Sequence, residues 1–164
     1  TVTAQEGLVT ETPAVPTDTT NGTFIVRLLP SLTVVKYMTS DPATPYNIPG
    51  GLVTYTIDVT NAGYGATDDD SVIITDPIPS HTKLVVTPPA VTYNAVVANG
   101  LSFTLASDVT FSQDGSDFTY VPTADGNGTD VTVTHLRINP KGPLNGAASA
   151  PYPRFTVSFK IRIN

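Results

Sequence analysis

Cysteine and tryptophan are absent from the 164 residues, and Met38 is the single methionine. Without cysteine there is no disulfide, no thiolate metal site and no cysteine nucleophile to consider. Charge is scarce as well: Asp, Glu, Lys and Arg make up 13% of the chain, against roughly 25% in ordinary soluble domains. The only glutamates are Glu6 and Glu11, and most of the aspartates fall in turn-like stretches. A net charge of −6 with no basic stripe argues against nucleic acid, whose phosphates need Lys and Arg to meet them. No apolar run approaches the ~20 residues of a membrane-spanning helix. Strong helix formers are few and β-branched residues abundant, which points to an all-β fold.

What is present is alternation of period two. In "LVTYTIDVT", Val53, Tyr55, Ile57 and Val59 share one parity and Thr54, Thr56, Asp58 and Thr60 the other. In "RFTVSFKIRIN", Phe155, Val157, Phe159, Ile161 and Ile163 alternate with Arg154, Thr156, Ser158, Lys160 and Arg162. Each reads as a strand with one buried and one wet face. Weaker strands are expected at "GTFIVRLL", "LTVVKYM", "SVIIT", "TKLVVT", "AVTYNAVV", "LSFTL" and "DFTYV", separated by clusters of Gly, Pro, Asn and Asp. In "VTVTHLRI" the parity shifts between Val133 and Leu136, as at a β-bulge. No window predicts a helix longer than a turn. The spacing predicts a two-sheet sandwich of about seven to nine strands. At this length one domain is expected, here residues 23–164, preceded by an extension over residues 1–22.

The order of short motifs resembles a known family. Lys36 follows a first strand, then come Pro49-Gly50, Tyr55 and Thr60-Asn61-Ala62-Gly63. An acidic loop and Asp76-Pro77-Ile78-Pro79 follow, and a Gly-rich loop leads into the last strand. Over about residues 32–164 this pattern is similar to the conserved-repeat domain called domain of unknown function 11. The resemblance implies an immunoglobulin-like sandwich, used as a structural module in prokaryotic surface and secreted proteins, with no catalytic residues. The same positions have plain physical readings. Pro49-Gly50 sets a turn, Asn61 and Gly63 suit left-handed backbone, Asp76 is expected to cap a turn through backbone amides, and Pro79 to end a strand.

Candidate chemistry is thin. His81 and His135 lie outside any nucleophile-elbow context, so no enzymatic step is expected. Asp125, Asn127 and Asp130 in "DGNGTD" form an oxygen-rich loop that suggests calcium, without the bidentate Glu and the spacing of a full site; no other cofactor is expected. Lys36 raises an intramolecular isopeptide bond, for which Asp58 or Asp76 would have to supply the buried acid; a snorkelling lysine is the plainer reading.

Residues 1–22, "TVTAQEGLVTETPAVPTDTTNG", then carry most of the functional question. "TVTAQEGLVT" has the Val, Leu and Thr of a strand, and "ETPAVPTDTTNG" the composition of an extended spacer. Three fates fit: a free tail, a fold-back edge strand, or addition to a neighbouring subunit's sheet with Val2, Ala4, Leu8 and Val9 as the polymerising residues. The third leads the expectation: an extracellular subunit, secreted after removal of a signal peptide and built into a filament or pilus-like homopolymer. The alternative is a monomeric secreted or cell-surface module, adhesin-like, whose loops bind carbohydrate or protein. Neither involves nucleic acid or a membrane span.

Overall fold

A computed structural model describes residues 2–5, 8–11, 28–43 and 47–164. The chain is all-β, with two antiparallel sheets forming the sandwich. The larger is built from β3 (Leu32–Ser40), β4 (Leu52–Asn61), β6 (Thr82–Val85), β7 (Val91–Val97), β9 (Thr129–Asp130) and β11 (Arg154–Ile163). The smaller consists of β5 (Ile74–Pro77), β8 (Val109–Ser112) and β10 (His135–Ile138), with β10 in the middle. The one helical element described, α1 (Leu105–Asp108), is a single turn.

The two strongest alternating segments lie side by side at the centre. β11 pairs with β4 along its length, from Arg154 opposite Thr60 to Arg162 opposite Leu52. On its other edge β11 pairs with β7 near its start and with β6 near its end. Pro88 and Pro89, which have no N–H to give to a ladder, fall between β6 and β7. The inward parity of β11 is sealed: Phe155, Val157, Phe159 and Ile161 are all buried. Val53, Ile57 and Val59 of β4, Leu84, Val91, Val109, Leu136 and Ile138 complete the core, and Leu144 joins it from a loop. Burying each such side chain contributes about 1.5–3 kcal/mol, which is why these segments set the layer.

Some expected strands differ. "LSFTL" gives only a bridge at Ser102 and then runs into α1, and "DFTYV" only a bridge between Tyr120 and Phe111. The "SVIIT" strand lies later, as β5. Segments not anticipated, β8 and the two-residue β9, supply pairing instead. The parity shift in "VTVTHLRI" is explained: Val131 is exposed, Val133 is buried, and regular pairing begins only at His135.

At the N-terminus the described residues form a ladder of their own. β1 (Val2–Gln5) pairs antiparallel with β2 (Leu8–Glu11), aligning Ala4 with Val9 and Gln5 with Leu8. The single strand expected over these residues is thus two, paired with each other. This ladder is a sheet separate from the sandwich. The expected boundary at residues 22/23, the spacer and most of "GTFIVRLL" lie outside the described residues.

Candidate assembly surface

β3 is an end strand of the larger sheet, held on one side by a nine-residue ladder to β4. Its register sets Leu32, Val34, Lys36 and Met38 opposite Asn61, Val59, Ile57 and Tyr55, the parity of β4 that faces the second sheet. By pattern these side chains belong inside. They are not covered: Leu32 is 46%, Val34 59% and Met38 54% exposed. The opposite parity is open too, with Val35 at 52% and Tyr37 at 47%. The smaller sheet ends at β5, only four residues long, and its cover stops short of β3. An edge with both faces apolar and exposed, no proline and Lys36 as the one charge in nine residues has little of the protection that sheet edges normally carry.

The chain is fastened firmly just before this strand. Asn61 is fully buried, and its Oδ1 accepts from the N–H groups of Ser31 (2.9 Å) and Gly63 (3.0 Å). Its Nδ2 donates to the carbonyls of Gly65, Leu144 and Asn145. One side chain thereby joins three loops. The N–H groups of Ala62 and Gly65 donate to the carbonyls of Ser31 and Leu29, extending the edge pairing back to residue 29. Glycine is required at both crossings: a Cβ on Gly63 would lie 2.4 Å from the Ser31 nitrogen, and on Gly65 2.0 Å from the Leu28 oxygen.

Lys36 is the polar exception on the inner face. Its Nζ lies 4.5 Å from the centroid of the Tyr55 ring and donates to Asp76 Oδ1 of β5 at 2.7 Å. Tyr55 in turn packs against Phe159, ring centroids 5.6 Å apart. Asp76 is buried, and its Oδ2 has no hydrogen-bond partner among the described residues. Asp76 therefore does not cap a turn through backbone amides as expected; facing the interior from β5, its carboxylate meets the lysine and links the sheets. Among the described residues no second carboxylate is paired with Lys36, so the group is an ion pair beneath aromatic rings. Pro79 lies two residues beyond the end of β5, and its carbonyl accepts from Thr82 Oγ1.

The Asp125–Asp130 loop is built on its own donors. Asp125 Oδ1 accepts from the N–H groups of Asn127 and Thr129, and Oδ2 from Thr129 Oγ1. The Thr129 and Asn127 amides hold this carboxyl down at about 2. Asp130 binds a different set: Thr132 at Oδ1, Tyr120 and the Thr123 amide at Oδ2. Burial pushes the Asp130 carboxyl up, but these bonds together hold it below the usual range. The two carboxylates are thus directed to separate protein donors, and no group of three acidic or histidine side chains is gathered for a metal among the described residues. His135 Nδ1 is bonded to Thr134 Oγ1 at 2.9 Å, and His81 stands exposed in a turn.

On the outer face of the larger sheet, Arg154 grips Asp58 through Nε and a terminal guanidinium nitrogen, a pairing that sequence spacing did not indicate. A cleft of about 430 Å³ opens nearby where β6 and β7 part, lined by Thr54, Thr92, Asn127, Ser158, Lys160 and Arg162. Among the described residues no helix is long and apolar enough to cross a membrane. No protein-family model, curated protein or solved structure matches the chain.

Proposed function

We propose that this chain is an extracellular structural subunit that polymerises into a filament by adding its N-terminal β-segment to the sheet of a neighbour. The observation that carries the reading is β3, a nine-residue edge strand, apolar on both faces and uncovered on both. Strand addition would supply backbone pairing along that edge and remove its apolar surface from water. Because donor and acceptor are different surfaces of one subunit, the contact is head-to-tail and repeats into an open fibre. The resemblance of residues 32–164 to surface-protein repeat domains supports the same setting. Negative-stain microscopy of the full chain tests it: fibres are expected, and deletion of residues 1–11 is expected to abolish them. Uniform single particles at every concentration would defeat the proposal.

A second reading, a monomeric secreted binding module, draws on the cleft beside Lys160 and Arg162, lined by polar groups and by Leu52, Val85, Pro88, Pro89 and Ala90. Its test is a glycan array, with Lys160→Ala as the variant that should lose binding.

A further inference from the structure

We infer that the acceptor is the open flank formed by the free edge and inner face of β3 beside β5, and that its occupant is the segment 1–11 of a second copy of this chain; the inference rests on the filament reading above. The shape of the flank comes from the unequal sheets. Lys36 spans the gap to reach Asp76, while Val34 and Met38 on the same face stay more than half exposed, so β5 stands inboard of β3. Stacked sheets lie about 10 Å apart and strands within a sheet about 4.8 Å. A strip left open beside an edge strand is covered by one more strand at that spacing. β5 itself ends in Pro77, which cannot donate to an added strand. Among the described residues β3 is paired on one side only, with β4, so pairing along β3 is favoured.

The chemistry of the strip selects its occupant. Its floor is Leu32, Val34 and Met38 with one cation, Lys36, and it suits an extended segment that is apolar and carries no positive charge. Residues 1–11 contain Val2, Ala4, Leu8 and Val9, no Lys or Arg, and both glutamates of the chain, Glu6 and Glu11. The segment is also at hand. Residues 12–27 connect it to the fastened edge, a span of up to about 54 Å if extended. Among the described residues of one chain, β1 and β2 pair with each other and with neither sheet of the sandwich, and β3 pairs only with β4. The β1–β2 ladder retains two outer edges and can add to β3 without being taken apart.

The absence of cysteine makes cross-linking a direct test. Full-length Val2→Cys or Val9→Cys is mixed with full-length Val34→Cys or Met38→Cys and treated with a short bis-maleimide. The expected result is a covalent dimer, in yield well above mixtures that place the second cysteine at exposed Val96 or Val131. Equal yields at the control positions would overturn the acceptor assignment. Efficient linkage within single chains of a Val9→Cys/Val34→Cys double variant, read by mass spectrometry of the monomer, would overturn the second-copy occupant. Val34→Glu is the companion variant: assembly should be lost with the melting temperature unchanged. Fibres that require residues 1–11 but survive Val34→Glu would leave the filament reading standing and sink this acceptor. Specific cross-links without fibres would do the reverse, and neither fibres nor specific cross-links would sink both.

Discussion

β3 and β11 flank the same strand, β4, in ladders of nearly equal length, yet their fates are opposite. The inward side chains Phe155, Val157, Phe159 and Ile161 of β11 are buried to within 2% of completely. Those of β3, set against the same inward parity of β4, are about half exposed. Both are long strands paired with β4 over nine residues, so the difference in burial lies in what stands above them. β11 runs beneath the second sheet and β3 beyond its edge. Pairing is a property of two neighbouring strands, whereas burial is a property of layers.

The contrast can be broken by substitution. Phe159→Ala should be the most damaging, costing about 3–5 kcal/mol, as measured by urea unfolding. Asn61→Ala comes next, because it strands buried amides and carbonyls of three loops at about 1–3 kcal/mol for a group left unpaired. A loss of roughly 3 kcal/mol is expected from the several groups together, and an unchanged midpoint would show that the loops do not depend on this side chain. Lys36→Met should cost about 1–3 kcal/mol, since a buried Asp76 loses its partner. A double-mutant cycle with Asp76→Asn should recover a coupling energy between the two. At the other end of the scale, Val34→Ala on β3 should stay within ~0.5 kcal/mol. A larger loss would mean that β3 is covered after all.

Acid offers a finer test, centred on the Asp125–Asp130 loop. Asp125 sits at about 2 and Asp130 is also lowered, against about 3.9 in an unfolded chain. A carboxyl with a depressed folded-state value lends stability that is present above the unfolded value and lost as pH falls through the folded one. Melting temperature should thus decline from about pH 4 toward pH 2, and the decline should be shallower in Asp130→Asn. A decline of equal slope in the variant would remove Asp130 from the account.

Much of the sandwich was legible because its strands announce themselves. Alternation in residues 52–61 and 154–163 identified the two central strands and their inward residues. The parity shift before Leu136 located where regular pairing breaks. The short strands were harder. β8 and β9 have too few residues for a period to show, and "LSFTL" has strand composition but is drawn into a helical turn. Asn61 and Gly63 were expected in left-handed backbone, but neither has a positive φ and Asn61 is the last residue of β4; their role, joining loops distant in sequence, depends on segments around residues 30 and 145 arriving at one place. Asp76 was read locally as a turn cap, and its lysine partner forty residues away could not be inferred from spacing.

The sequence by itself determined that the chain builds strands, which parity of each is apolar, and where tight turns fall, because these follow from nearest neighbours and backbone sterics. Only the tertiary structure decided which apolar parity is covered. Lys36 aside, the inner face of β3 is apolar, and it is left open because the second sheet stops one strand short.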